Sequence, residues 1–175
     1  MDSLAQSIEK RLRSIPDYPK PGILFRDITP VLGDGPLFRK VVESLARPYR
    51  HDGISHVVGI EARGFIFGGA VAMVLGAGFV PVRKAGKLPW QTRSQEYALE
   101  YGTSVVEAHV DAVDKKSSVL IVDDVLATGG TAQAAADLVR ALGGTVVGWS
   151  FLLEVGGLGG RKRLVDGRTT VLLET

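Results

Sequence analysis

The chain contains no cysteine. Disulfides, thiolate nucleophiles and cysteine-ligated zinc are excluded at once. Histidine is scarce, and the three present, His51, His56 and His109, share no short metal-ligand spacing. A zinc site is therefore not expected. Neither sign of charge dominates, since 21 Lys and Arg stand against 19 Asp and Glu for a net charge of +2. Chains that hold nucleic acid or a membrane surface usually carry a large basic excess, so neither partner is expected. Long hydrophobic runs are missing too. The longest apolar stretch, residues 64–82, is broken by five glycines and a proline, and reads as a buried helix followed by a buried strand rather than a membrane span. The opening Met1-Asp2-Ser3-Leu4-Ala5-Gln6 lacks the apolar core of a signal peptide, and a cytoplasmic protein is expected.

What remains is ordinary in bulk: 45% apolar and 23% charged residues over a length of 175, enough for one domain with one sizeable core. Glycine, at 22 residues, is abundant. That favours tight turns and close backbone approaches, as in α/β phosphate binders. Leu4, Ile8 and Leu12 recur every four residues and predict an amphipathic helix over 3–13. Residues 15–35 hold four prolines and three glycines, which predicts a long ordered loop. Residues 36–47 read as a helix with Pro36 in its first turn. Short apolar runs at 56–60, 78–82, 118–122, 145–153 and 170–173 read as buried strands. Helices are expected at 65–75 and 131–142, with a short one at 159–165. Residues 83–95 read as irregular, and 97–101 with 104–109 as a strand pair around Gly102-Thr103. Strands alternating with helices predict an α/β fold, a mostly parallel central sheet with helices on both faces. Ligands of such sheets bind at the carboxyl ends of the strands.

One stretch carries most of the chemistry: Val119-Leu120-Ile121-Val122-Asp123-Asp124-Val125-Leu126-Ala127-Thr128-Gly129-Gly130-Thr131. An apolar strand runs into two carboxylates, a turn of small residues and then a helix. Gly129 and Gly130 let the backbone curl and aim successive N–H groups at one point. The following helix adds the positive end of its dipole. With the hydroxyls of Thr128 and Thr131 they form a cradle for a phosphate monoester. Asp123 and Asp124 repel phosphate but suit ribose hydroxyls, or a magnesium ion that those hydroxyls share. A bare acid pair is most often a solvated cap, and a bare Gly-Gly a turn; the whole string in order is far more specific. A Walker loop needs Lys where Thr131 stands, and the dinucleotide fingerprint has no acid pair before its glycines.

This string resembles the phosphoribosyl pyrophosphate (PRPP) signature of type I phosphoribosyltransferases, and more narrowly that of the adenine-specific family. Three further segments are similar to that family in the expected order. They are Pro21-Gly22-Ile23-Leu24-Phe25-Arg26-Asp27-Ile28-Thr29-Pro30, Gly59-Ile60-Glu61-Ala62-Arg63-Gly64-Phe65, and Arg83-Lys84-Ala85-Gly86-Lys87-Leu88-Pro89 through Leu99-Glu100-Tyr101-Gly102. The resemblance implies a single domain over 1–175, with an N-terminal base-binding hood at 1–35 and a mobile catalytic lid at 83–102. It implies purine salvage: transfer of the phosphoribosyl group from PRPP to adenine N9, with Mg2+, giving AMP and pyrophosphate. A homodimer is implied as well, with Arg83 reaching a neighbouring site.

Roles follow for single residues. Asp123, Asp124, Ala127, Thr128, Gly129, Gly130 and Thr131 would bind the ribose phosphate, with the acid pair also offering oxygens to PRPP-borne magnesium. Glu61, Ala62, Arg63, Arg83, Lys84 and Lys87 would surround pyrophosphate, which needs cations as it leaves. In the family this turn carries a non-proline cis peptide, here Glu61–Ala62. Arg63 and Lys87 would act in catalysis beside Glu100, the acid–base group near the base nitrogens, while Tyr101 would steady the closed lid. Phe25 offers a ring to stack on adenine, the Arg26 backbone a donor and an acceptor, and Leu126 and Val155 an opposite apolar wall.

Two rivals remain at the level of sequence. A phosphoribosyltransferase for 6-oxopurines resembles this chain but carries an aspartate where Ala127 stands. A non-catalytic sensor of PRPP or purine would usually add a DNA-binding domain, and the region before residue 35 is too short for one.

Overall fold

The computed structural model describes residues 2–98 and 102–175. Helix α1 (Leu4–Arg11) starts at a reciprocal cap, in which Ser3 accepts from the Gln6 backbone and the Gln6 side chain accepts from Ser3. Residues 15–35 are more regular than their prolines suggest. Strands β1 (Arg13–Ile15) and β2 (Phe25–Asp27) pair antiparallel, and a single turn of helix, α2 (Thr29–Leu32), follows. Between the strands Gly22 turns the chain at φ +85 and donates its N–H to Asp17 Oδ1 at 2.8 Å. The ladder is three residues long and joins segments a dozen residues apart, so no local hydrophobic period announces it. Helix α3 (Gly35–Ala46) is capped by Asp34 and has Pro36 in its first turn, where a missing N–H costs nothing.

The alternation then runs β3 (His56–Ile60), α4 (Gly64–Leu75), β4 (Gly78–Lys84), β5 (Thr92–Ala98), β6 (Thr103–His109), β7 (Ser118–Leu126), α5 (Gly130–Ala141), β8 (Thr145–Glu154), a 3-10 turn at Gly160–Arg163, and β9 (Arg168–Glu174). Seven strands form one mixed sheet in the order β5-β6-β4-β3-β7-β8-β9. From β4 to β9 every pairing is parallel, and β6 and β5 add an antiparallel edge. The irregular stretch expected over 83–95 is shorter than that, because β4 continues to Lys84 and β5 begins at Thr92. Most of β5 is exposed, so its strand character comes from pairing with β6 and not from a buried face.

The period of two along the central strands divides the core. Val119 and Ile121 pack with Ala135, Leu138, Val139, Trp149 and Phe151 beneath α5. Leu120 and Val122 pack with Ile8, Val41, Leu45, Phe67 and Val71 of α1, α3 and α4 on the other face. Helices therefore cover both faces, as the alternation implies. The topology also locates the crevice. From β3 the chain steps to β4 on one side, and β7 then lies on the other. The carboxyl ends of β3 and β7 thus border the switch point where open α/β sheets bind ligands.

Candidate active site

Strand β3 pairs with β7 only as far as Gly59↔Val122. Beyond that register β3 turns into 61–63, and Asp123 and Asp124 on β7 face the gap. Gly64 makes this close approach possible, since a β-carbon there would stand 2.6 Å from Asp123 Oδ1. Asp123 Oδ1 accepts the Asp124 backbone N–H at 2.9 Å. Asp124 is 5% exposed, and its Oδ2 lies 2.8 Å from Arg63 Nε as an ion pair without an aligned hydrogen bond among the described residues. Burial raises the Asp123 carboxyl well above its ordinary value, and the neighbouring Asp124 charge raises it further. Burial raises Asp124 too, and Arg63 offsets part of that.

From the acid pair the chain enters the small-residue turn. Gly129 sits at φ +78 as the N-cap of α5, and no side chain caps the helix. Its first N–H groups therefore lack the usual side-chain acceptor. A cleft of about 80 Å³ opens there, lined by Asp123 and residues 125–132, including Leu126, Thr128, Gly129 and Gly130. The two glycines differ. A β-carbon on Gly129 would need a left-handed backbone and would stand 2.7 Å from the Gly160 carbonyl oxygen, whereas one on Gly130 meets only ordinary contacts from 3.4 Å outward.

On the opposite wall Glu61 gathers the cations. Its carboxylate accepts from Lys87 Nζ at 2.5 Å, from the Lys84 backbone N–H at 3.0 Å and from Arg83 Nε at 3.4 Å. Burial alone would raise this carboxyl, but the bonds from Lys87, Lys84 and Arg83 outweigh it and hold Glu61 at about 2. The Glu61–Ala62 peptide bond is cis, at the position the sequence comparison implied. Glu107, which sequence reading passed over, fixes the next turn by accepting from the Gly86 N–H at 3.0 Å and from Ser94 Oγ at 3.1 Å. It is one acid among many in the sequence, and only the pairing of β6 with β4 and β5 reveals its partners.

Between the walls lies a cavity of about 400 Å³, bordered by Glu61, Arg63, Lys84, Asp123, Asp124 and Thr131, with Ala62 and Ala127 also on its surface. Val125 and Tyr97 line it as well; neither was singled out from the sequence, though Tyr97 follows from the strand period of β5. Phe25 approaches through Arg63, whose guanidinium carbon lies 5.4 Å from the ring centroid. Tyr18 meets the same ring edge-on at 5.2 Å. Arg26 donates from Nη1 to Ser14 Oγ at 2.6 Å, which holds the hairpin together. Leu126 is 1% exposed and borders the small cleft rather than the central cavity. Val155 borders a separate cavity of about 460 Å³ with Glu154, Arg161 and Glu174. Glu100 and Tyr101 lie outside the described residues.

The arrangement suits one kind of ligand: an anion at the α5 end, hydroxyls or a cation at the acid pair, and a second, more highly charged anion at the Glu61 end. Among the described residues no group of three or more His, Cys, Asp or Glu forms a metal cage. The buried, unaligned Asp124 Oδ2 fits a cation that arrives with its own oxygen ligands.

Comparison with known proteins gives the same class. Residues 31–169 match the phosphoribosyl transferase domain. An adenine phosphoribosyltransferase of Thermobifida fusca (strain YX) is 58% identical over 159 residues, covering 91% of this chain and 90% of the relative. The crystal structure of adenine phosphoribosyltransferase from Rhodothermus marinus superposes with TM-score 0.94 at 51% identity, over 98% of each chain. That of the Saccharomyces cerevisiae enzyme, complexed with an imino-altritol bisphosphate and adenine, superposes with TM-score 0.90 at 40% identity, over 97% of this chain and 99% of the other.

Proposed function

The chain belongs to the adenine phosphoribosyltransferase family, and on that footing we infer that it is a purine-salvage enzyme. It transfers the 5-phosphoribosyl group of PRPP to N9 of adenine and releases AMP and pyrophosphate. The observation that carries this reading is the adjacency of three binding elements: the acid pair borders a 400 Å³ cavity with Glu61, Arg63 and Lys84, and Asp123, Ala127 and Thr131 join that cavity to the cleft at the uncapped α5 turn.

In this reading the 5′-phosphate sits on the α5 turn, with Thr128, Thr131 and the N–H groups from Gly129 onward as donors. The ribose hydroxyls lie over Asp123 and Asp124. The pyrophosphate lies against Arg63, Arg83, Lys84 and Lys87, which leave Glu61 and Asp124 for the stronger negative charge of the substrate. As N9 attacks the anomeric carbon, the bond to pyrophosphate breaks and its electron pair departs with the leaving group. The four cations stabilise that developing charge. We assign Glu100 to the proton on N9 and Tyr101 to the closed lid, both by family resemblance. Magnesium, which supplies further charge neutralisation on PRPP when bound, would be held by PRPP oxygens with Asp123 and Asp124 beside it, where burial disfavours the carboxylate charge and a cation would offset that cost.

Adenine would stack on Phe25, taking the face that Arg63 covers here. Leu126 and Val155 stay assigned to its far side, the latter on the strength of its place at the end of β8. Ala127 offers only a methyl group at the cavity, which disfavours a 6-oxopurine enzyme. No helix among the described residues is long and apolar enough to cross a membrane, and we propose a cytoplasmic homodimer. Exposed Ile66, Met73 and Val74 on α4 and Phe79 on β4 supply an apolar face for the second copy; light scattering after size exclusion tests it, and a monomer mass would refute it. The function is tested by incubating protein, PRPP and Mg2+ with adenine, hypoxanthine, guanine or orotate. AMP forms with adenine, and a rate with any other base equal to that with adenine would overturn the assignment.

A further inference from the structure

The cradle at the start of α5 is built without a cation of its own, since residues 125–131 contain no Lys or Arg. A phosphate monoester held there would meet only neutral N–H and hydroxyl donors and a helix dipole. The structure brings a charge to it from a distant part of the chain. The 3-10 turn at Gly160–Arg163 docks directly on the cradle, and Gly160 is what permits it, because a β-carbon there would collide with the Ala127 carbonyl oxygen. Leu164, 6% exposed, anchors the following residue in the core beneath α5. Arg161 is tied down by two carboxylates, Glu154 at 2.5 Å and Glu174 at 2.8 Å.

Arg163 has no such partner among the described residues. Its chain runs beside both glycines instead. Its Cβ lies 3.4 Å from the position of a β-carbon on Gly129, and its Nη1 lies 3.5 Å from that of a β-carbon on Gly130. A guanidinium bordering the first turn of α5, exposed and without an acid among the described residues, is placed to donate to whatever anion the turn receives. We propose that Arg163 is a further 5′-phosphate-binding residue, a charge-assisted donor that closes the open side of the cradle. The proposal rests on the phosphoribosyl reading of that cradle. A hydrogen bond with an ionised donor and acceptor is roughly twice as strong as one between neutral groups, so Arg163 supplies the cradle with its strongest single contact.

The test compares AMP with adenosine, which differ only in the phosphate. Calorimetric titration of the wild type gives tighter binding of AMP. In Arg163→Gln, AMP affinity falls about tenfold, as expected for a partly solvated charged hydrogen bond, and adenosine affinity is unchanged. Arg163→Lys recovers part of the loss, and pyrophosphate affinity stays at the wild-type value in both variants. Equal weakening of AMP and adenosine would reduce Arg163 to a packing role and overturn the proposal, as would wild-type AMP affinity in Arg163→Gln. If the wild type itself does not distinguish AMP from adenosine, the cradle reading fails and the proposal falls with it.

Discussion

At the α5 end of the cavity the chain presents backbone: a left-handed glycine, uncapped N–H groups and small side chains in a segment without a cation. At the Glu61 end it presents side-chain charge, with Arg83 and Lys87 held by one carboxylate until a competing anion arrives. The first end works by shape, because a cradle of amides fits a phosphate only when the backbone can adopt the curl. The second works by exchange, since the cations already satisfy an acid and must be won from it. Between them the acid pair carries a charge that burial disfavours. Substitutions should therefore fail differently in the three regions.

The largest effect belongs to the middle. Asp123→Asn with Asp124→Asn removes the contacts to ribose and to PRPP-borne magnesium, and PRPP turnover should drop about 10²–10⁴-fold, as expected for two charged hydrogen bonds. The fold should gain. Both carboxyls have raised folded-state pKa values, so stability is lost as pH rises from the unfolded value of about 4 through the folded values. At neutral pH the single Asp123→Asn variant should melt roughly 2–4 °C higher for each kcal/mol of relieved strain, as read by calorimetry. A lower melting temperature would mean the charge is fully compensated in the free enzyme.

At the shape end, Gly129→Val should abolish ribose 5-phosphate binding and lower stability by about 1–3 kcal/mol, because it forces a branched residue into a left-handed conformation and against the Gly160 carbonyl. Gly130→Ala should be mild. Equal damage from the two would show that volume, and not backbone conformation, is what the turn protects.

Phe25→Ala tests the base face. Loss of a stacking ring costs about 1–3 kcal/mol, so KM for adenine should rise roughly tenfold or more while KM for PRPP changes little. If both rise together, Phe25 holds Arg63 and the hairpin rather than the base.

The smallest effect is at the exchange end. Glu61 is held at about 2 by its cations, a depressed value, so its stabilisation is complete above the unfolded pKa near 4.5 and is lost as pH falls from there toward 2. Acid unfolding of Glu61→Gln should lack that part of the pH dependence. Identical acid limbs for the variant and the wild type would mean that Glu61 is not paired with its cations in solution.

How much of this is legible in the sequence follows the same division. The strand, acid pair and glycine turn of β7–α5 are contiguous, so one reading of residues 118–142 yields both the element and the chemistry. The hairpin of β1 and β2 is invisible because its three-residue ladder joins segments separated by prolines, and of β5 only the end at Tyr97 and Ala98 is legible as a strand, because the mostly exposed run from Thr92 carries no buried face. Tertiary docking hides the remainder. Glu107 and Arg163 look like solvated charges until β6 and the 3-10 turn bring them to Gly86 and Gly130. The Glu61 side chain, expected beside pyrophosphate, also holds its neighbours' cations, a pairing across more than twenty residues that no local pattern announces.

Separability of the two ends is tested most directly by crossed titration. Ribose 5-phosphate and pyrophosphate, each with Mg2+, are titrated into wild type, Gly129→Val and Lys87→Ala. The wild type should bind one of each per chain at the same time. Gly129→Val should lose ribose 5-phosphate and keep pyrophosphate, and Lys87→Ala should do the reverse. Mutually exclusive binding in the wild type, or loss of both ligands in either variant, would contradict the two-ended site.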